Sequence, residues 1–412
     1  MNLPPTTQAD ARSATQALIV DTKSPEVYTW SLGVQHELTR NSVVEVRYLG
    51  THGLFLPIQQ RLNSITIFEN GFAGLPTFLN ASDVPTTFSS SAPTRQGALN
   101  LEDLRFSAQG FDGGFITAFE PAGSGIYHSG SVDFTQRVTH GLTLRANYTY
   151  ARNIDNATNE LFSSRVNPRR PENAFDTRNE RGPSVLDIHS KVALSWVYDL
   201  PKLSSGNGFL KKVVNGWEYS GTFIAQTGQP ITALSGVDRN GNLDSAGDRA
   251  FLNSTGTPGT GSGVNFVCRN PSTGASSISG TTGGCGGSAN VVGYVAKDSS
   301  KQFVVAQLGA IPNNGLAFIG RNTVKTPGVN IWNMSVAKRV PFWGESRYIQ
   351  FQANAFNVFN HRNFSLVNLD VFQDNTNGLS TSYANVSSPN FLNAQQFNGG
   401  KRTLQLGLKL VF

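Results

Sequence analysis

The stretch Thr403–Phe412, TLQLGLKLVF, alternates apolar residues with other residues along its whole length. Every second position carries a large apolar side chain, at Leu404, Leu406, Leu408, Leu410 and Phe412. A period of two predicts a β-strand with one apolar and one polar face. The stretch therefore predicts a strand whose apolar face is covered either by a protein core or by lipid.

The composition favours lipid. Asp, Glu, Lys and Arg make up only 15% of the 412 residues, compared with roughly 25% in ordinary soluble domains. The apolar runs are short, as at Ala17–Val20, and fall far below the ~18 residues of a membrane-spanning helix. A closed β-barrel hides apolar surface in lipid with strands that need only one apolar face. The composition thus indicates a transmembrane β-barrel.

Several function classes are not expected. The net charge is +6, but Lys and Arg are spread along the chain, so we predict no nucleic-acid partner. We find no nucleophile elbow, no histidines at metal-ligand spacing and no Gly-rich phosphate loop, so we predict neither catalysis nor a cofactor. The N-terminal residues lack a charged segment followed by an apolar one, so we predict no signal peptide.

The alternating pattern recurs upstream of the terminal stretch. Eight further segments show it, at residues 26–38, 43–50, 131–138, 142–150, 187–201, 216–226, 330–340 and 347–357. We therefore predict about nine or ten antiparallel strands.

The connections between these strands alternate in length. Those after the first, third, fifth and seventh strands are short, whereas the others span roughly residues 52–125, 152–186, 228–327 and 359–400. Outer-membrane barrels have short periplasmic turns and long extracellular loops. The predicted fold is an all-β, antiparallel transmembrane β-barrel, incomplete within residues 1–412, with outer-membrane lipid as its surroundings.

The positions of the aromatic residues agree with this orientation. At the outer interface we place Tyr28, Trp30, Tyr48, Tyr148, Tyr150 and Trp332, and at the inner interface Trp196, Tyr198, Trp217 and Tyr219. Two girdles of aromatic side chains are typical of outer-membrane barrels. The alternative is that these residues form the core of a soluble β protein.

One loop has the composition of a calcium site. The segment DRNGNLDSAGDR carries oxygen-bearing side chains at Asp238, Asn240, Asn242, Asp244 and Asp248. Calcium loops place oxygen ligands at alternate positions, with Gly at the sixth and Glu at the twelfth. Here Leu243 stands at the sixth position and no Glu at the twelfth. A polar loop tip without a metal is the alternative.

Two cysteines are present, Cys268 and Cys285, in the same long Gly-rich and Ser-rich connection. An exported surface favours oxidation of such a pair. We predict a disulfide that closes part of this connection, and a pair of free thiols is the alternative.

The ordered series of strands resembles the C-terminal part of the barrel of TonB-dependent outer-membrane receptors, particularly the Oar-like group. The stretches that carry the resemblance are YTWSLGVQHELTRNSVVEVRYLGTHG, SGSVDFTQRVTHGLTLRANYTYARNID, RGPSVLDIHSKVALSWVYDLP and FQANAFNVFNHRNF. The resemblance implies a barrel of about 22 strands with an internal plug domain. It also implies an energy-transducing TonB-type partner, and a terminal strand ending at Phe412 that the barrel assembly machinery recognises.

The chain departs from that family in lacking a recognisable plug. We therefore predict that residues 1–412 are the C-terminal part of such a barrel, a fragment of a transporter that binds an unknown ligand in its extracellular loops. A surface adhesion protein that works through the same long polar loops is the alternative, and a soluble polysaccharide-binding or hydrolytic β protein is a third possibility.

Overall fold

The computed structural model describes residues 16–18, 23–102, 105–106, 108, 116–139, 141–156, 170–245, 247–343, 347–364, 383–389, 391–393 and 398–412. Nine long strands in these ranges form one antiparallel sheet, in which each strand pairs with the next one along the chain. They are β1 (Glu26–Thr39), β2 (Ser42–Arg61), β3 (Thr117–Thr139), β4 (Leu142–Asp155), β5 (Ser190–Asp199), β6 (Trp217–Gln226), β7 (Val329–Trp343), β8 (Arg347–Phe356) and β9 (Thr403–Val411). The strand series predicted from the alternating pattern is confirmed.

The register places the apolar side chains of neighbouring strands on one face. In β8 and β9, Ala353 is opposite Leu406, and Phe351 is opposite Leu408. Because side chains alternate across a strand, these opposite residues share a face. The same alternation continues across the sheet to β1, which gives one apolar and one polar face.

The sheet is not closed. Within the residues that the structure describes, β1 pairs only with β2, and β9 pairs only with β8. Every residue of β1 is exposed, and Leu406 of β9 is 84% exposed. The observed fold is therefore an open antiparallel sheet of barrel strands, as predicted.

Two strands are longer than the sequence pattern predicted. β2 has 20 residues and β3 has 23 residues, whereas a membrane-spanning strand needs about 9–11. The predicted start of the first long connection at residue 52 is wrong, because the pairing of β2 with β3 continues from Gly53 to Arg61, with two shifts in register. Alternation is lost in this extension, since its buried residues include the polar Gln59 and Gln60.

The long connections after β2, β4, β6 and β8 carry several small sheets, and we name the described residues of these connections the loop cap. One sheet has five strands, in the order Ser276–Ser279, Val264–Arg269, Val291–Ala296, Leu75–Phe78 and Ala310–Pro312. Another has four, in the order Thr257–Ser262, Lys301–Val304, Phe251–Leu252 and Ala317–Phe318. Residues of both sheets belong to one buried cluster, which includes Leu75, Phe251, Val291, Tyr294 and Val304. The long connections thus have a hydrophobic core of their own.

The remaining elements are short. Two-stranded pairs join Pro230–Ile231 to Val324–Lys325 and Asn363–Phe364 to Asn398–Gly399. Gln16–Leu18 pairs with β3, and Gly182–Pro183 pairs with β4. The described part of the chain contains the α-helices α1 (Arg95–Leu99) and α2 (Gly208–Val214), with 3-10 turns at Ala81–Asp83, Thr177–Glu180, Gly283–Cys285 and Ser288–Asn290. Among the described residues, neither helix is long and apolar enough to span a membrane.

Candidate functional site

The loop cap joins connections that are far apart in the sequence. Leu75–Phe78, from the connection after β2, pairs in parallel with Val291–Ala296 and with Ala310–Pro312, from the connection after β6. The hydroxyl of Tyr294 donates a hydrogen bond to the backbone oxygen of Leu308 at 2.6 Å. Burial of the Tyr294 side chain raises the pKa of its hydroxyl above the ordinary tyrosine value. The two connections therefore form one packed unit.

The structure pairs Cys268 with Cys285 in a disulfide within this unit. Their Cα atoms are 5.1 Å apart, within the range of disulfide geometry. Both cysteines are buried. The bond links the strand Val264–Arg269 to the 3-10 turn Gly283–Cys285.

A chain of alternating charges crosses the loop cap, and we name it the charge ladder. Its members in order are Arg239, Glu172, Arg249, Glu180, Arg321 and Asp155. Nη2 of Arg239 lies 2.7 Å from Oε1 of Glu172, and Nη2 of Arg249 lies 2.5 Å from Oε1 of Glu180. Arg321 pairs with Asp155 at the end of β4.

The charge ladder is buried, so each charged side chain needs its oppositely charged neighbours to offset the loss of hydration. The side chains of Glu180, Arg249 and Arg321 are 4%, 6% and 2% exposed. It ties the connection after β4, which supplies Glu172 and Glu180, to the connection after β6. The sequence reasoning missed these residues because partners lie far apart in the chain and follow no local pattern.

A cavity of about 490 Å³ lies against one end of the charge ladder. Its walls include Phe68, Ile311 and Phe318, and its polar lining includes Glu172, Arg239 and Arg249. The guanidinium of Arg239 lies 5.3 Å from the ring centroid of Phe68 and 5.4 Å from that of Phe318. Residues from three separate long connections meet here, with apolar walls and charged groups side by side.

The predicted calcium loop packs next to this cavity. The carboxylate of Asp238 accepts hydrogen bonds from the backbone N–H groups of Gly241, Asn242 and Leu243. Asp244 pairs instead with Arg170. Within the described ranges no three Asp, Glu, His or Cys side chains form a metal-binding group, and calcium binding stays a prediction.

Asp248 differs from the other members of this loop. Its side chain is fully buried, and neither carboxylate oxygen makes a hydrogen bond within the described residues. Burial raises the pKa of Asp248 well above its ordinary value, and the nearby charges of Glu172 and Asp238 raise it further. Burial also raises the pKa of Asp238, although its three backbone hydrogen bonds oppose that shift.

The predicted interface aromatics all fall on the apolar face of the sheet. The hydroxyl of Tyr48 lies 2.8 Å from Nδ1 of His128, and Nε1 of Trp30 donates to the Tyr48 hydroxyl at 3.3 Å. Tyr148 is opposite Val192, and Tyr150 is opposite Ser190. At the other end of the strands, Tyr198 is opposite Tyr219, and Trp217 is opposite Lys338.

The assignment of Trp196 and Trp332 to opposite girdles is wrong. Their ring centroids are 6.3 Å apart, whereas the apolar band between two girdles is about 25 Å tall. Trp196 is opposite Gly221, and Gly221 is opposite Met334, which is only two residues from Trp332. Loop length alone did not reveal this relative stagger of β5 and β7.

The terminal residues lie where the alternation predicted. Leu404, Leu406, Leu408 and Leu410 belong to β9 and are exposed, and Phe412 follows the strand. On the opposite face of the sheet the polar side chains pair with one another. Nη2 of Arg339 lies 2.8 Å from Oε2 of Glu218, and the amide of Asn147 donates to Asp133.

The family model described as "Outer membrane beta barrel domain" matches residues 2–405. No curated protein matches the chain. Among solved structures, it is similar to the outer membrane transporter YddB from Escherichia coli, with 11% identity, a TM-score of 0.39 and coverage of 97% of this chain and 34% of that one. It is also similar to the pyoverdine outer membrane receptor FpvA from Pseudomonas aeruginosa PAO1, with 8% identity, a TM-score of 0.36 and coverage of 95% and 30%.

The chain thus spans about a third of the length of these solved structures. The family match covers nearly all of the sequence, and the observed sheet has consecutive antiparallel strands, as outer-membrane barrels do. The protein is located in the outer membrane of a Gram-negative bacterium. The chain belongs to the outer membrane beta barrel domain family.

Proposed function

We propose that this chain is part of a TonB-dependent outer-membrane transporter of the Oar-like group, which binds a ligand in the loop cap and passes it through the barrel. The cavity against the charge ladder carries this proposal. It is formed by residues from three long connections, so a bound ligand would contact all of them at once. Energy would come from a TonB-type partner acting through a plug domain, as the family resemblance implies.

The lining of the cavity supports a small ligand with both apolar and hydrogen-bond-accepting parts. Phe318 is 60% exposed, so its ring is available for contact. Nε of Arg249 makes no hydrogen bond within the described residues, although it lies 3.7 Å from Oε2 of Glu172 and the side chain lines the cavity. An acceptor oxygen of a ligand would satisfy this N–H.

Uptake by intact cells tests the proposal. The gene is deleted in the source bacterium and restored as the wild type or as Phe318→Ala, which removes one cavity wall. Accumulation of radiolabelled ferric catecholates, ferric hydroxamates and labelled maltodextrins is then measured with and without an uncoupler. We expect the deletion to abolish energy-dependent uptake of one probe class, and Phe318→Ala to raise its apparent KM.

Ile278→Ala is the matched control, because Ile278 is an exposed residue of the loop cap outside the cavity lining. Its uptake should equal that of the wild type. Normal uptake of every probe class by the deletion strain, together with lost attachment to surfaces, would instead favour the adhesion alternative.

A further inference from the structure

The connection between β5 and β6 contains a small amphipathic helix, α2 (Gly208–Val214). Successive residues of an α-helix are about 100° apart around its axis. This spacing places four apolar residues on one side of α2 and two lysines on the other. The apolar residues are Phe209, Leu210, Val213 and Val214, and the lysines are Lys211 and Lys212.

The apolar side of α2 is exposed. Phe209 is 79% exposed. Leu210, Val213 and Val214 are 45%, 49% and 38% exposed. A single exposed apolar residue needs no explanation, but a contiguous apolar patch marks a contact surface. Because the four residues lie on one side of a two-turn helix, they form such a patch.

Hydrogen bonds hold α2 on the apolar face of the sheet. Nε1 of Trp217, the first residue of β6, donates to the backbone oxygen of Val213 at 2.9 Å. Nζ of Lys338 in β7 donates to the same oxygen at 3.0 Å. Trp217 is opposite Lys338, and Lys338 is opposite Phe351 on the apolar face. The end of α2 is therefore attached to the side of the sheet that carries the leucines of β9.

Lys338 is an unusual residue for this face, because a lysine that points from a barrel strand into lipid is destabilising. Here Lys338 is only 9% exposed. Its ammonium also donates to the backbone oxygen of Asn215 and lies 5.2 Å from the ring centroid of Trp217. A cation at the carbonyl end of a helix is stabilising. Lys338 thus binds the C-terminal end of α2 instead of contacting lipid.

We propose that α2, held by Lys338, is an interfacial membrane anchor whose apolar side inserts among the acyl chains of phospholipids beside the barrel. The apolar patch of α2 adjoins the apolar face at the end of the strands where Tyr198 is opposite Tyr219. It therefore continues the surface that outer-membrane barrels bury in lipid, which identifies lipid as the occupant. The leaflet is the one on the side of the short connections, which is periplasmic in such barrels.

The two lysines of α2 agree with this placement. Interfacial helices lie in the plane of the membrane, with the apolar side about 5–10 Å into the boundary of headgroups and acyl chains and with basic residues on the polar side. Lys211 and Lys212 are on the polar side of α2. Their ammonium groups are thus placed to contact lipid phosphates.

The test uses the full chain refolded in vesicles of phosphatidylethanolamine and phosphatidylglycerol. A nitroxide label is attached to Phe209→Cys, and Cys268 and Cys285 do not react because they form a disulfide. Electron paramagnetic resonance measures collisions of the label with O₂, which concentrates in hydrocarbon, and with a water-soluble nickel complex. The matched control carries the label at Lys212→Cys, on the polar side of the same helix. We expect the ratio of O₂ to nickel collisions at position 209 to exceed that of the control at least threefold.

Equal collision ratios at the two positions would overturn the proposal. Shielding of the label at position 209 from both reagents would overturn it too, because protein and not lipid would then cover the patch. Folding of each variant is checked by heat-modifiable mobility on a gel. If Phe209→Cys does not fold, a label at Leu210→Cys replaces it, with the same result expected.

Lys338→Met tests the attachment of α2. Loss of the hydrogen bonds to the helix should increase the mobility of the label at position 209, seen as a narrower central line in the spectrum. Lys409→Met is the control, since Lys409 is opposite Gln350 on the polar face of the sheet, and it should leave the line width unchanged. Equal line widths in Lys338→Met and in the parent protein would overturn the role of Lys338 in holding α2 at the membrane.

Discussion

Arg249 and Glu180 hold two long connections together from within the protein. Nη2 of Arg249 lies 2.5 Å from Oε1 of Glu180, and both side chains are almost completely buried. Glu180 also accepts a hydrogen bond from the backbone N–H of Glu172. Since Arg249 follows β6 in sequence and Glu180 follows β4, this pair fixes one connection against the other.

Glu180→Gln should strongly destabilise the loop cap. The substitution leaves the buried guanidinium of Arg249 without its nearest counter-charge, and removal of one partner of a buried pair costs about 3–5 kcal/mol. Hydrogen exchange of the strand Phe251–Leu252, measured by mass spectrometry, should report the loss. The control is Arg178→Ala in the same 3-10 turn. Its side chain is 88% exposed, so the loss of stability should be below about 1 kcal/mol. Equal losses in the two variants would show that the charge ladder does not stabilise the loop cap.

Replacing both cysteines by serine should destabilise the segment between them. The two cysteines are 17 residues apart, and closing a loop of this length stabilises by about 3 kcal/mol in the chain-entropy model. Hydrogen exchange of Val264–Arg269 should become faster in Cys268→Ser/Cys285→Ser. A reducing agent should produce the same change in the wild type and none in the variant. Alkylation of both thiols in the oxidised native protein would contradict the pairing.

The sheet could be predicted from the sequence because its cause is local. Alternation in TLQLGLKLVF and in RYIQFQANAFN determines which side chains share a face, and the observed register pairs Leu408 with Phe351 accordingly. The strand order could also be predicted, because short connections join strands that are antiparallel neighbours in the sheet. The contact between Trp196 and Trp332 could not be predicted, because the relative stagger of strands depends on pairing that no single segment encodes.

The loop cap could not be predicted for a different reason. Its buried strands, such as Val291–Ala296 and Leu75–Phe78, are short and pair across long sequence separations. The Gly-rich and Ser-rich composition around these strands gives no clear apolar pattern. The charge ladder could not be predicted either, because it joins residues up to 166 positions apart. For the loop at Asp238–Asp248, the oxygen-bearing side chains could be identified from the sequence, whereas the burial of Asp248 became evident only in the structure.

Gly221→Ala should disturb the sheet at its aromatic cluster. A Cβ atom at this position would lie 2.4 Å from Cζ2 of Trp196 and 2.6 Å from the backbone oxygen of Asn333. Overpacking of this kind costs about 1–3 kcal/mol. The folded fraction, measured by heat-modifiable mobility on a gel, should therefore fall. Gly130→Ala is the control, since its Cβ would meet nothing within 4 Å; equal losses in both variants would rule out a clash with Trp196.

The loop cap should lose stability in strong alkali. Burial raises the pKa of Tyr383 to about 12, so the folded state holds its proton to higher pH than the unfolded state does. Between the ordinary tyrosine pKa of about 10 and the folded value, the folded state binds more protons, and stability falls as pH rises. Tyr383→Phe should reduce this decline between pH 10 and 12, measured by chemical denaturation. An identical pH profile in both proteins would show that Tyr383 does not contribute.

The terminal strand provides a test of which face meets lipid. Leu406 lies near the middle of β9 on the apolar face, and its neighbour Gln405 is opposite Asn354 on the polar face. A Lys on the lipid face near the bilayer midplane costs about 2–4 kcal/mol, whereas residues on the lumen face tolerate charge. Leu406→Lys should thus lower the folded fraction in lipid vesicles much more than Gln405→Lys, as measured by urea titration of tryptophan fluorescence. The opposite order would mean that the polar face of the sheet, and not the row of leucines, contacts the membrane.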